Sequence, residues 1–343
     1  MLKVRILLAF SLVLTITVIA LGAYTRLSNA GLGCPDWPGC YGHITVPTQS
    51  EQLSKAQALF PETPVEPYKA WLEMIHRYVA GILGLAVVAI AFTCARTGIA
   101  SKAFCTGLVG LIVFQAALGM WTVTLKLMPT IVMLHLAGGF SLFCLLWVLY
   151  LRARPHPTVP FVSTSITRWA RVGLIILIAQ IFLGGWTSSN YAALMCTSLP
   201  ICQGDWVSQL NFVAAFDLLQ QGHDNYEFGV LGGDARTTIH VTHRIGAILT
   251  TLVLTTLSIL MLRSEHPQAK RLSFGLLVLL TIQIGLGVTN VLYQLPLLVA
   301  TAHNLGAALL LIWTVRINLS VQSENRTIRQ MLDKPQFKEQ DYG

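Results

Sequence analysis

Eight long apolar segments constrain the fold of this 343-residue chain more than any other feature. A helix needs about 20 mainly apolar residues to cross the roughly 30 Å hydrocarbon core of a bilayer. Segments of spanning length lie at Ile6–Tyr24, Leu72–Thr93, Phe104–Thr124, Thr130–Leu151, Ala170–Thr187, Thr238–Leu262, Leu272–Leu292 and Leu298–Asn318. Only 11% of the residues are charged, whereas soluble domains carry about 25%. The sequence therefore predicts an all-α integral membrane protein with eight transmembrane helices.

The net charge of +8 is unevenly distributed along this topology. Most Lys and Arg residues fall on the side that holds both termini, among them Lys3, Arg96, Lys102, Arg152 and Arg263, and most acidic residues fall on the other side. The positive-inside rule then places both termini in the cytoplasm. This distribution indicates membrane lipid rather than nucleic acid as the partner of the basic residues. We expect a bacterial cytoplasmic membrane, because no mitochondrial presequence is visible.

The second half of the sequence repeats the pattern of the first. Cys34–Cys40 follows the first span and Cys196–Cys202 follows the fifth, with the same Cys-x5-Cys spacing and a proline two residues before the second cysteine. His76 and His243 stand at corresponding places, at the starts of the second and sixth spans. The sequence therefore predicts a duplicated four-helix unit. Because each unit has an even number of spans, the two bundles should run parallel, related by an axis along the membrane normal.

This duplication gives the predicted domain organisation. An N-terminal four-helix half occupies residues 1–151, a cytoplasmic linker 152–169, a C-terminal four-helix half 170–319 and a polar cytoplasmic tail 320–343. The long segment between the fifth and sixth spans contains an apolar piece, Leu210–Leu219, with some helical periodicity. We predict that this piece forms a short helix on the outer surface.

Four of the nine histidines lie near the outer ends of the even-numbered spans, at His76, His135, His243 and His303. The second and fourth spans thus offer one pair at similar depth, and the sixth and eighth offer another. Facing imidazoles in a four-helix bundle are typical axial ligands of haem. A helix-capping role would explain one such histidine, but four at duplicated positions favour two haem sites. Structural zinc is less favoured, because it prefers four ligands in one cluster.

Residues near these histidines give weaker indications. Glycine follows three of the histidines by three residues, at Gly138, Gly246 and Gly306, where a missing side chain would let a macrocycle approach the backbone. Close helix packing explains these glycines nearly as well. Arg77 and Arg244 lie at the outer mouth, where they can contact haem propionates or simply anchor the helix ends at the membrane interface.

Glu73 is the acidic residue that falls within a predicted span. It precedes His76 by three residues, close to one helical turn, so the two side chains share a face. The second half keeps the arginine but has His240 where the first half has this acid. Ionisable groups in a membrane are usually functional, and a carboxylate at a porphyrin edge can take a proton or stabilise positive charge. The alternative is that Glu73 only pairs with Arg77.

Together these features resemble the haem A synthase family. The resemblance rests on Leu21–Ser28, the two Cys-x5-Cys loops, Glu73–Arg77 and the single histidines of the fourth and eighth spans, and it covers nearly all of residues 1–320. It implies oxidation of the methyl group at ring carbon 8 of haem O to a formyl, through a hydroxymethyl intermediate, to give haem A. It carries no ligand role for His240.

The resemblance also implies particular site residues and partners. It implies haem O between His76 and His135, haem b between His243 and His303, and disulfides Cys34–Cys40 and Cys196–Cys202. From the asymmetry of the two halves we expect Glu73 to be the catalytic group. Haem b in the second half would relay electrons. A haem O synthase and a terminal oxidase are implied as assembly partners. The sequence does not specify the electron acceptor or donor or the source of the formyl oxygen, and it is compatible with an oligomer.

Two other functions fit parts of the pattern. A bis-haem electron carrier or quinol oxidoreductase explains all four histidines but gives Glu73 no role. A transporter is suggested by the duplication, but it would need polar residues near the bilayer middle, whereas the polar residues here lie near the outer face.

Overall fold

The structure is a computed structural model that describes residues 2–154, 161–200 and 202–322, and the regular secondary structure in this part of the chain is almost entirely helical. The helices are α1 (Leu2–Leu27), α2 (Ser50–Leu59), α3 (Pro67–Thr97), α4 (Lys102–Thr124), α5 (Pro129–Arg152), α6 (Thr164–Ser189), α7 (Phe212–Ala215), α8 (Gly233–Arg263), α9 (Pro267–Leu292) and α10 (Leu297–Ser320). Two short parallel strands, β1 (Phe161–Val162) and β2 (Val321–Gln322), pair with each other.

All eight predicted spans are confirmed as helices. Each predicted segment lies within one long helix, namely α1, α3, α4, α5, α6, α8, α9 or α10, and these eight are long and apolar enough to cross a membrane. The helices extend beyond the predicted apolar segments because polar and charged residues at the interfaces continue the same helical turns. The predicted fold class, an all-α membrane protein with eight transmembrane helices, is therefore correct.

The long helices pack as two sets of four. In the first set α1 contacts α3 and α5, and α4 lies against both α3 and α5. In the second set α6 contacts α8 and α10, and α9 lies against both α8 and α10. The sets meet where α10 contacts α1 and α5, and where α5 contacts α6. A continuous apolar core, including Leu8, Ile90, Leu146, Leu257 and Leu276, joins the two sets.

We call the end of the bundle that carries the four cysteines of the Cys-x5-Cys motifs the cysteine end. Here the long connection from α6 to α8 crosses to the first helix set. The backbone N–H of Tyr226 donates to the carbonyl of Lys126 at 3.0 Å, and the hydroxyl of Thr130 donates to the carbonyl of Leu218. Since Lys126 and Thr130 flank the turn between α4 and α5, the connection ties the two sets together at this end.

The predicted surface helix at Leu210–Leu219 is much shorter than expected. Only α7, with four residues, forms there. Asn211 caps its start by accepting the backbone N–H of Ala214, while the carbonyl of Ala215 accepts the indole N–H of Trp186 at 2.8 Å. Because this buried contact takes up a carbonyl at the end of the first turn, the segment is held against the bundle instead of continuing as a helix.

The predicted linker and tail are only partly described. Within 152–169, α6 already begins at Thr164, because the side chain of Ser163 accepts the backbone N–H of Ile166 and caps the helix. Residues 155–160 of the linker, and residues 323–343 of the tail predicted at 320–343, lie outside the described part of the chain.

Candidate functional site

A cavity of about 1960 Å³ lies between the helices, and both helix sets line it. All four predicted ligand histidines, His76, His135, His243 and His303, line this cavity. Single small-molecule pockets have volumes of roughly 300–1,000 Å³, so the cavity has room for two large ligands. Most of its lining is apolar, which suits a flat hydrophobic macrocycle.

The histidines are arranged in the predicted pairs. His76 of α3 and His135 of α5 line the cavity from the first helix set, and His243 of α8 and His303 of α10 line it from the second. Among the described residues, no group of three or more His, Cys, Asp or Glu side chains could hold a metal ion. Two-ligand sites of this kind suit haem iron, whose porphyrin supplies the other ligand atoms.

Each of the four imidazoles rests against a glycine of the neighbouring helix. We call these four residues the seat glycines: Gly22 for His76, Gly119 for His135, Gly184 for His243 and Gly287 for His303. A Cβ atom added at these positions would lie 2.9, 3.5, 3.2 and 3.2 Å, respectively, from the ring Cε1. The neighbouring helix therefore has no side chain where each ring packs, and this recurrence is hard to explain if the histidines only cap helix ends.

We expect Gly22→Ala to destabilise the protein by about 1–3 kcal/mol, because the added methyl would crowd the ring of His76 in a packed interior. Gly107→Ala is the matched control: it is also a helical glycine, but nothing lies within 4 Å of its added Cβ, so it should be neutral or stabilise by about 0.5–1 kcal/mol. Thermal unfolding of the detergent-solubilised variants measures the difference. Equal stability of the two variants would show that Gly22 is not a seat for the ring.

The glycines that follow three of the histidines pack against neighbouring helices. Gly138, Gly246 and Gly306 pack against glutamine side chains of the neighbouring helix, and they do not line the cavity. A Cβ at Gly246 would lie 2.2 Å from Oε1 of Gln180, for example. Of the two explanations that the sequence left open, close helix packing is the one that these contacts support. They form notches for close helix packing.

Glu73 is buried and ties α3 to the first Cys-x5-Cys loop. Its Oε2 accepts the backbone N–H of Cys34 at 2.9 Å, and its Oε1 pairs with Nη2 of Arg77. Glu73 also lines the cavity, and it lies on α3 about one turn before His76. The ion pair named as the alternative explanation is present, and it leaves the carboxylate at the cavity wall.

His240 occupies the corresponding place in the second helix set. The backbone N–H of Cys196 donates to its Nδ1 at 3.3 Å, as that of Cys34 does to Glu73. Nε of Arg244 lies 3.2 Å from its Nε2. His240 therefore binds the second Cys-x5-Cys loop as Glu73 binds the first. The two positions share a structural task, and of these two residues only Glu73 is an acid; Asp36 of the first Cys-x5-Cys loop lines the cavity as well.

Arg77 and Arg244 are both engaged by the Cys-x5-Cys loops. Arg77 donates from Nη1 to the carbonyls of Pro38 and Gly39, and Arg244 donates to the carbonyls of Ser198 and Cys196. Both guanidinium groups also line the cavity. These contacts make the arginines part of the loop attachment, and their contact with haem propionates stays a prediction.

The cysteines of each loop are within bonding distance of each other. Cys34 pairs with Cys40, and Cys196 pairs with Cys202, with Cα atoms 4.8 Å apart in both cases. Cys94, Cys105 and Cys144 are unpaired. The implied disulfide pattern is therefore compatible with the fold, and each closed loop lies against the residue that anchors it to α3 or α8.

A buried tyrosine stabilises the first Cys-x5-Cys loop. The backbone N–H of Tyr41 donates to Asp36 at 2.6 Å, and its hydroxyl donates to the carbonyl of Pro64 at 3.0 Å. Burial, followed by the charge of nearby Glu66, raises the pKa of Tyr41 above its ordinary value. The phenol thus keeps its proton and remains a donor to Pro64.

Three cavity residues were not identified from the sequence as functional. Arg26, at the end of α1, donates to the carbonyl of Ser188 at 3.0 Å and so links the two helix sets. Asn290 and Asn304 line the cavity near the second pair, and their Oδ1 atoms are buried without a hydrogen-bond partner among the described residues. An arginine at a span end and an asparagine beside His303 were the available signals, but neither indicates a cavity by itself.

The fold and the cavity together define a class of protein: a helical membrane protein of eight spans with four histidines, two from each helix set, lining an internal cavity. Comparison with known families agrees with this class. The chain belongs to the COX15-CtaA family, described as cytochrome oxidase assembly protein, whose family model matches residues 5–315.

The individual relatives compared below are all named heme A synthase. The chain is 57% identical over 314 residues to the heme A synthase of Shewanella oneidensis, covering 91% of this chain and 94% of that protein. It is 27% identical to the heme A synthase of Allorhizobium ampelinum, covering 91% and 88% of the two chains. It is also 26% identical to that of Rickettsia canadensis, covering 89% and 93%.

Proposed function

We propose that this chain is a haem A synthase that oxidises the C8 methyl group of haem O to a formyl, through a hydroxymethyl intermediate. The observation that carries this proposal is the asymmetry of the cavity: two histidine pairs line it, and its acidic lining residues, Glu73 and Asp36, both come from the first half of the chain. The name shared by the relatives supports the same activity.

The substrate is assigned to the first helix set. His76 and His135 hold the iron of haem O, and the apolar cavity wall binds the macrocycle and its isoprenoid tail. Converting a methyl to a formyl removes four electrons and four protons when water supplies the oxygen, so an electron acceptor outside this chain takes up the four electrons. Glu73, held by Cys34 and Arg77 at the cavity wall, accepts protons from the reacting carbon or its hydroxyl.

The resident cofactor is assigned to the second helix set. The seat glycines Gly184 and Gly287 leave room for the rings of His243 and His303 against the neighbouring helices, so these residues fit a bis-histidine haem b. When bound, haem b supplies one-electron transfer. The chain itself holds the two rings in place, keeps the site apolar and excludes an acid, because His240 replaces the carboxylate.

We further infer that the two helix sets are two copies of one four-helix unit. Seat glycines, notch glycines and loop anchors recur in both sets, and the Cys-x5-Cys loops pair in the same way. We infer that the cysteine end faces outward from a bacterial cytoplasmic membrane and that both termini are cytoplasmic. The assembly partners inferred are a haem O synthase that delivers the substrate and a terminal oxidase that receives haem A.

Co-expression with a source of haem O tests the proposal. The purified protein is extracted, and its porphyrins are separated by chromatography and identified by mass. The expected result is haem b together with the hydroxymethyl and formyl products of haem O. Haem b alone, with reversible reduction, would instead favour an electron carrier. If the purified protein contains no porphyrin, a function that does not involve haem, such as transport, would be favoured.

A further inference from the structure

Three of the four histidine sites carry a glutamine that the fourth lacks. Each glutamine stands four residues before a seat glycine, and each faces a glycine three residues after a histidine. The three groups of glutamine, glycine and histidine are Gln115, Gly138 and His135; Gln180, Gly246 and His243; and Gln283, Gly306 and His303. At the fourth site Val18 stands four residues before Gly22, and Val79 stands three residues after His76.

The glutamines of the second helix set bind the backbone that carries the ligands. Nε2 of Gln180 donates to the carbonyl of His243 at 3.0 Å and lies 3.0 Å from its Nδ1. Nε2 of Gln283 donates to the carbonyl of His303 at 3.0 Å and lies 3.4 Å from its Nε2. Each amide thus contacts both the main chain and the ring of its histidine.

The first helix set lacks these bonds. Gln115 fills the notch at Gly138 with its amide turned the other way, so that Nε2 meets the glycine. At His76 the corresponding side chain is Val18, which has no group that can donate a hydrogen bond. Partners that orient a ligand histidine typically change metal affinity by about 10–100-fold when they are removed. His76 is therefore the one ligand of the four that has no glutamine beside it to orient its ring.

We propose that His76 is the ligand that releases the iron of the substrate porphyrin, while His243 and His303 remain permanent ligands. This rests on the proposed function, because it takes the first pair to hold haem O. The iron–nitrogen bond breaks with both electrons remaining on a neutral imidazole, so no proton or electron is exchanged. Release opens one coordination position on the side of α3, the helix that also carries Glu73.

Carbon monoxide, added to the reduced protein loaded with both haems, tests this assignment. In the unaltered chain it should bind roughly half of the haem, at the first site only. The double variant Val18→Gln/Val79→Gly supplies the missing glutamine and notch, and it should slow carbon monoxide binding by at least about tenfold. The converse variant, Gln180→Val/Gly246→Val, should let the second haem bind carbon monoxide as well.

Several results would overturn the assignment. In the unaltered chain, carbon monoxide binding at both haems, or at neither, would contradict it. In Val18→Gln/Val79→Gly, an unchanged rate of carbon monoxide binding would contradict it. If that variant does not load haem, Gln180→Val/Gly246→Val is the deciding variant. If its second haem still does not bind carbon monoxide, the role of the glutamine is rejected. Formyl product is assayed separately. If the unaltered chain binds carbon monoxide at one haem only but makes no formyl product, the proposed function is rejected and the assignment of His76 as the released ligand is kept.

Discussion

Glu73→Gln should reduce haem A formation by on the order of 10²–10⁴-fold, the usual contribution of a general acid or base. Glutamine has the same size and can still accept the backbone N–H of Cys34, but it cannot take a proton. Haem extraction after co-expression with a haem O source measures the effect. Haem O or the hydroxymethyl intermediate should accumulate, while the total porphyrin bound stays near that of the unaltered chain.

The structure supplies a matched control in His240→Gln. His240 anchors the second Cys-x5-Cys loop through the N–H of Cys196, as Glu73 anchors the first through that of Cys34. Both glutamine variants therefore disturb a loop anchor, but only one removes a carboxylate. We expect His240→Gln to keep most of the formyl yield. Equal losses in the two variants would mean that Glu73 acts only as a loop anchor.

Stability is measured alongside yield, because Glu73 is paired with Arg77 in a buried position. Removing one partner of a buried ion pair can cost about 3–5 kcal/mol when the remaining charge is left uncompensated. Arg77 retains the carbonyls of Pro38 and Gly39 as acceptors, so the expected loss is smaller. A Glu73→Gln protein that accumulates and binds porphyrin but makes no formyl separates chemistry from folding.

The sequence predicts the membrane helices well because length and apolarity are local properties. Each predicted apolar segment lies inside one helix of the structure. The four histidines could be grouped in pairs for a similar reason. The depth of each histidine in the membrane follows from its distance along the helix to the end of the span. Both kinds of prediction need only the position of a residue along its own helix.

Contacts that depend on helix rotation or on distant residues could not be predicted. Gly138 looks like a cavity glycine in the sequence, but the rotation of α5 turns it towards Gln115. The loop-anchoring role of His240 depends on Cys196, 44 residues away. The link from Arg26 to Ser188 spans 162 residues. No local pattern records such pairings, although the duplication indicated which positions to compare.

The second large effect concerns which porphyrin each pair of histidines holds. His243→Ala/His303→Ala removes both ligands of the second pair, so it should lose haem b while still binding haem O. His76→Ala/His135→Ala should do the reverse. Each double variant should bind about half of the porphyrin of the unaltered chain, because two axial imidazoles are the main iron–protein bonds of such a site. Mass analysis of extracted porphyrins identifies which one is missing.

The opposite losses make this test specific, because general unfolding would remove both porphyrins together. His223→Ala is the control: His223 is exposed in the connection between α6 and α8, and it does not line the cavity. It should leave both porphyrins bound. Loss of the same porphyrin from the two double variants would reject the division of the cavity into a substrate site and a cofactor site. Formyl production should stop in both double variants, in one because the substrate is not held and in the other because the electron relay is missing.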